Sequence, residues 1–153
     1  KDNVLSHWQH AFDQQEFETE DFFQSTKEAI KKREIPGISF SAISHMGDGL
    51  FDKRRRYLCI SRNEYTFKVC ATTFGTGFFV SWWFVERESA FKLLLKRIPI
   101  IKSLLEHKTY YQVDSENMFR EYIQAGVLEA IDEMTTAKGI RSLSEPERRL
   151  MVV

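Results

Sequence analysis

Eight consecutive residues, Phe78 to Val85 (FFVSWWFV), carry seven large apolar side chains and one Ser. A strand with one wet face alternates apolar and polar residues, because successive side chains point to opposite sides. This stretch is apolar on both sides, so each of its faces needs a cover. It also sets the register of its neighbours. Gly75-Thr76 reads as a two-residue hairpin turn. Counting back from that turn, Ala71 faces Val80, Val69 faces Trp82 and Phe67 faces Phe84. Leu58 and Ile60 fall on the same side. The resulting core face is Leu58, Ile60, Phe67, Val69, Ala71, Phe78, Val80, Trp82 and Phe84. The opposite face carries Lys53, Arg55, Tyr57, Cys59, Lys68, Cys70, Thr72, Phe79, Ser81, Trp83 and Val85, a basic surface with a stripe of aromatics.

Period-two alternation extends upstream. Ile38, Phe40 and Ala42 alternate with Ser39, Ser41 and Ile43. Met46-Gly47-Asp48-Gly49 reads as a turn, Asp52 to Ser61 as a second strand and Tyr65 to Thr73 as a third. Before this meander, acidic residues precede a helix expected from about Glu18 to Arg33, with Phe22, Thr26, Ala29, Ile30 and Arg33 on its buried side and Pro36-Gly37 as its stop. Leu5, Trp8 and Phe12 are spaced for a short amphipathic turn or helix, and residues 1–17 read as a loosely held N-terminal segment.

Helical periodicity returns at Ser89. Phe91, Leu94, Leu95, Ile98, Ile101 and Leu105 form a stripe, which Pro99 should kink or split. Thr109 to Val113 is β-prone and reads as a fifth strand. Asp114 or Ser115 should cap a long helix reaching Lys138, with Phe119, Ile123, Val127, Ala130, Ile131 and Met134 inward and Gly139 just past its end. Gly126 in mid-helix implies close approach to a bulky sheet residue such as Trp82. Ser144-Glu145-Pro146-Glu147 has the capping-box pattern and opens a short terminal helix within 140–153. The sum is one α+β domain over 1–153: an antiparallel meander of four to five strands with helices packed on it, in the order α-β-β-β-β-α-β-α-α.

Charge is balanced overall but not along the chain. Asp52 to Lys108 holds 12 Lys/Arg and 5 Asp/Glu, a net of +7, and the rest carries −7. Opposite segments can attract within one fold, or the dipole can steer a partner. Two Cys make no disulfide framework. With no signal peptide and no apolar run of about 18 residues, a cytoplasmic location is the default.

Motifs that would carry chemistry are weak. Gly75-Thr76-Gly77 lacks the Lys-Ser/Thr sequel and the following helix of a phosphate loop. His7 and His10, with Asp13, could share a metal only on a helix face. Cys59 and Cys70 lie on one face of neighbouring strands, as direct or as diagonal partners. His45 with Asp48 and Asp52 matches no nucleophile motif. Lys53 to Arg56 (KRRR) heads a strand, so its charges alternate in facing, and a neutral chain argues against a nucleic-acid binder. No cofactor or metal is expected.

Three stretches, FKVCATTFGTGFFVSWW (Phe67 to Trp83), TYYQVDSENMF (Thr109 to Phe119) and AKGIRSLSEPER (Ala137 to Arg148), resemble an uncharacterised family of bacterial proteins. The resemblance spans the chain from about Phe22 onward. It implies a hydrophobic, membrane-like stretch between the Trp-Trp and Tyr-Tyr pairs and implies no activity. Here that place holds ERESAFKLLLKRIPIIKSLLEHK, which is shorter and more basic.

The leading functional expectation is a non-enzymatic interaction domain that binds itself or another protein. Phe79 and Trp83 would be anchors and Tyr57 and Arg55 their neighbours. The alternative is a protein peripheral to the inner face of a membrane. Segment 89–106 would then lie in the lipid interface through Phe91, Leu94, Leu95 and Ile98, and Lys92, Lys96, Arg97 and Lys102 would meet anionic head groups. A third reading, an enzyme or small-ligand sensor, would place its site near His45 or the Cys pair.

Overall fold

The computed structural model describes residues 2–45 and 54–152, the last two by backbone only. The turn expected at Met46 to Gly49 and the head of the second strand at Asp52 and Lys53 lie outside the described residues. Along the chain the elements are β1 (Asp2–Phe12), α1 (Thr19–Lys31), β2 (Ser39–His45), β3 (Arg55–Arg62), β4 (Tyr65–Phe74), β5 (Gly77–Arg87), α2 (Ala90–Leu95), α3 (Pro99–Glu106), α4 (Tyr110–Ala137), α5 (Glu145–Arg148) and β6 (Met151–Val152). This is an α+β fold on an open antiparallel sheet in the order β2-β3-β4-β5-β1-β6.

The β4–β5 hairpin has the expected register. Ala71 pairs with Val80, Val69 with Trp82 and Phe67 with Phe84 across the Gly75-Thr76 turn. Gly75 takes φ +59°, a conformation that suits a residue without Cβ. All nine residues of the expected core face are buried. Helices α1 and α4 cover that face, bringing Phe22, Phe23 and Ile30 from one and Phe119, Ile123, Val127 and Ile131 from the other. Phe67 stacks on Phe84 at 4.4 Å, and Phe119 meets Phe67 edge-on at 5.2 Å.

The N-terminal segment corrects its expected form. Residues 2–12 are a strand, paired along their length with β5 and at Ser6 and His7 with β6. Trp8 sits opposite Trp82 and is fully buried, and its indole N–H donates to the Glu147 carbonyl at 2.8 Å. Sheet pairing supplies β1 with backbone partners that an isolated helix of this length would not secure in water. A register shift between Val4 and Ser6 steps Leu5 out of the alternation.

A second correction concerns Thr109 to Val113. This stretch is the first turn of α4, not a fifth strand, and the cap is Thr109 rather than Asp114 or Ser115. Thr109 and Gln112 form a reciprocal capping box, in which the Thr109 hydroxyl accepts from the Gln112 N–H at 3.2 Å and the Gln112 side chain accepts from the Thr109 N–H at 2.9 Å. That local closure offsets the β propensity of Tyr110, Tyr111 and Val113.

Gly126 serves a different contact from the one expected. A Cβ there would lie 2.6 Å from Ile30 Cγ1, so the glycine lets α1 and α4 approach each other and does not make room for Trp82. Trp82 is held instead by its indole N–H, which donates to the buried Gln124 side chain, and Gln124 in turn donates to the Arg148 carbonyl at 3.0 Å. Gly139 follows α4 at φ +67°, and Ser144 with Glu147 forms the capping box of the four-residue α5.

Candidate functional site

Two surfaces are left uncovered by this packing. The first is the far face of the sheet. Period-two geometry turns Trp82 inward and Trp83 outward: Trp82 is 0% exposed and Trp83 38%. Trp83 is left without a full cover from its own chain. No residue of α2 or α3 is buried. On the Trp83 face, Phe79 and Tyr57 are half-buried and Arg55 is exposed, so the four expected interface residues do share one face.

Its relief follows from residue size. His7 and Trp83, opposite each other on β1 and β5, stack at 4.1 Å with planes 24° apart. One step along, Ser81 faces Cys70, and both are buried. A further step brings Phe79 opposite Thr72. Tyr57 and Gln9 continue the row of Cys70 and Ser81 on the neighbouring strands, so the low floor is confined to β4 and β5 between Trp83 and Phe79. Lys68 stands beside Trp83 on β4, and Arg55 and Arg87 lie at strand ends. Lys68 donates to the Asp2 carboxylate at 2.8 Å, and that hydrogen bond holds the Asp2 pKa below the ordinary carboxylate value although burial opposes it.

The second surface is segment 89–106. Pro99 splits the expected single helix, standing at the start of α3 where its missing N–H costs no helical bond. Ser89 caps α2 by accepting from the Lys92 N–H at 3.1 Å. α3 keeps the expected stripe as its more buried side. Ile101 and Leu105 are half-buried, whereas Ile100 is 78% and Leu104 71% exposed. On α2, Phe91 is 69% and Leu94 58% exposed, and Leu95 is half-buried; Ile98 follows at 48%. Lys92, Lys96, Arg97 and Lys102 interleave with these side chains. Lys108 fastens the end of the segment to the body, bridging Glu86 of β5 at 3.6 Å and Glu116 of α4 at 2.7 Å. Tyr110 and Tyr111 follow, both exposed, and nothing in the sequence reading singled them out.

The remaining clusters separate. His7 and His10 are on a strand, so they point to opposite faces and cannot share a metal. His10 instead packs edge-on to Phe12 at 4.7 Å and lies 3.6 Å from Glu147. Burial lowers its pKa, against the pull of the Glu147 carboxylate. Among the described residues no group of three or more His, Cys, Asp or Glu converges on a metal position. Cys59 pairs with Lys68 and Cys70 with Tyr57, so the two thiols are diagonal partners and both are free. Burial raises both thiol pKa values, which disfavours the nucleophilic thiolate. His45 meets Tyr57 edge-on at 5.5 Å, while Asp48 and Asp52 lie outside the described residues. An open groove of 660 Å³ between α1, α4 and the tip of β4 is lined by Glu16, Glu18, Asp21 and Glu133 with Lys138, and by no His or Cys.

The charge asymmetry is partly spent inside the fold. Arg56 pairs with Glu20, Lys68 with Asp2 and Lys108 with Glu116, each joining the basic middle of the chain to its acidic remainder. No helix among the described residues is long and apolar enough to cross a membrane. Comparison with protein-family models, with curated proteins and with solved structures finds no match for this chain.

Proposed function

We propose that this protein is a non-enzymatic attachment domain that docks on an anionic membrane surface through α2 and α3. The observation that carries the reading is the exposure of Phe91, Leu94, Ile98, Ile100 and Leu104 along α2, α3 and the link between them, a segment that also carries Lys92 and Arg97, with Lys96 paired to Glu88 and Lys102 3.9 Å from Glu106. Lysine is depleted from protein–protein interface cores. At a lipid interface the same residue is accommodated, because its stem lies along apolar surface while the ammonium reaches the head groups. Each such cation contributes about 1 kcal/mol near an anionic leaflet, and salt weakens the attraction. The anionic leaflet in question is the cytoplasmic one, so the protein sits inside the cell at the inner face of the membrane.

Flotation with phosphatidylserine-containing vesicles tests this. The protein should float at low ionic strength, sink as salt rises, and ignore vesicles of phosphatidylcholine alone. Ile100→Ser combined with Leu104→Ser should abolish flotation and leave the melting temperature in place. Failure of the wild-type protein to float at low salt would overturn the proposal.

A second reading, contact with protein, has its own observation: the exposed Trp83 on the far face of the sheet, with Phe79, Tyr57 and Arg55 on the same face.

A further inference from the structure

We propose that the groove beside the β4–β5 turn, at one end of the far sheet face, binds a small monoanion with an apolar body, of the class of a medium-chain carboxylate. The reading is independent of membrane docking, because none of its residues lies in α2 or α3.

The groove has a volume of 580 Å³, within the range of about 300–1,000 Å³ usual for ligand pockets. Its floor follows one row across the sheet. Thr72, Phe79 and Ala11 stand opposite one another on β4, β5 and β1, so the Phe79 ring rises between two short neighbours. Arg55 continues the row on β3, two residues before Tyr57, which pairs with Cys70. Phe74 lies two residues beyond Thr72, on the same face, and is 78% exposed at the turn. Covering that ring with apolar surface is favourable, and one ligand in the groove reaches both Phe74 and Phe79. The end of β1 forms the far wall. A Cβ on residue 77 would lie 3.0 Å from the Phe12 carbonyl oxygen, so Gly77 is what lets the turn and β1 approach this closely.

Charge sets the polarity of the ligand. Among the described residues that line the groove, Arg55 is the cation and Asp13 the anion. They stand at opposite ends, because β3 and β1 are three strand spacings apart, about 14 Å. A guanidinium offers a carboxylate two parallel hydrogen bonds. The ligand carboxylate therefore sits at Arg55, and its chain crosses Thr72, Phe79 and Ala11 toward Asp13. A second carboxylate at the far end would meet the Asp13 carboxylate and be repelled, so the groove selects monoanions over dianions of the same length.

Equilibrium dialysis of the full chain against radiolabelled decanoate, below its micelle concentration, gives the test. The wild type should bind one decanoate saturably. Unlabelled decanedioate, the same chain with a second carboxylate, should compete about tenfold less well than unlabelled decanoate. Arg55→Gln should weaken binding about tenfold through the lost charged hydrogen bonds. Ala11→Trp, at an exposed strand position, fills the floor and should abolish binding. A melting curve confirms that both variants fold. The Ile100→Ser/Leu104→Ser variant should bind as the wild type does, which separates the groove from the lipid-binding segment. Absence of saturable binding by the wild type would overturn the proposal. So would equal competition by decanedioate, undiminished binding by Arg55→Gln, or loss of binding in the Ile100→Ser/Leu104→Ser variant.

Discussion

Trp82 and Trp83 are adjacent in the chain and belong to two different surfaces. Trp82 is enclosed by α1 and α4 with its indole N–H satisfied by Gln124. Trp83 lies on the opposite face without a full cover, resting on a histidine ring. The two flanks of β5 have similar apolar content, so composition does not separate them. What separates them is the supply of helix. α1 and α4 carry enough inward-facing apolar residues for one face, and they are joined to each other through Gly126 and Ile30. The segment between β5 and α4 is split by Pro99 and leaves Phe91, Leu94, Ile98, Ile100 and Leu104 exposed. Apolar surface left in this state on both β5 and α2–α3 is the usual mark of a contact site.

The largest test of this contrast is a pair of truncations. Trp82→Ala should cost about 3–5 kcal/mol, since it opens a cavity among packed rings and strips Gln124 of a partner. Trp83→Ala should cost about 1 kcal/mol, the scale of its stacking on His7. Urea unfolding at low protein concentration, where assembly does not contribute, measures both. Equal losses would mean that the two faces are equally enclosed.

A smaller effect tests why the covered face is covered so closely. Gly126→Ala should destabilise by about 1–3 kcal/mol through the clash with Ile30, even though Ala is the better helix former. Adding Ile30→Ala should give a double variant less destabilised than the sum of the singles. Strict additivity would dissociate the glycine from the helix–helix contact.

The smallest effect belongs to β1, the strand shared by both faces. His10 has a pKa below its ordinary 6.5, chiefly from burial. A base whose pKa is lower when folded takes up its proton more readily when unfolded. Stability should therefore decline as pH falls through 6.5 and be independent of this group well above it. His10→Gln should flatten the melting temperature between pH 8 and about 5.5. An unchanged slope would place the sensitivity elsewhere.

Legibility in the sequence followed the range of the interactions involved. The β4–β5 hairpin could be read residue by residue, because a two-residue turn converts chain position into register, and the faces of β3 followed for either register of its own hairpin. The same arithmetic placed Trp82 and Trp83 on opposite faces and brought Phe79, Trp83, Tyr57 and Arg55 together. β1 could not be read this way. Its inward positions include Ser6 and His10 beside Trp8 and Phe12, and a bulge follows Val4, so the period-two signal is broken. Leu5, Trp8 and Phe12 then imitate a helical spacing. The polar inward residues are tolerated for reasons remote in sequence, such as Glu147 near His10. Tyr110 to Val113 failed for the opposite reason: residue preference favoured a strand, while a local capping box decided for helix.

What the sequence determined by itself is therefore the set of faces: which side chains of each hairpin strand lie together, where α1 and α4 stop, where α5 starts, and that Pro99 interrupts the segment between β5 and α4. Those properties depend on periodicity, turns and caps, which act over a few residues. Only the tertiary structure decided that residues 2–12 join the sheet between β5 and β6, that α1 and α4 meet at Gly126 and Ile30, and that α2 and α3 leave most of their apolar residues in the open. These outcomes depend on pairing and burial between segments far apart in the chain, where the gain from contact must exceed the entropy of closing long loops, and no local pattern encodes that balance.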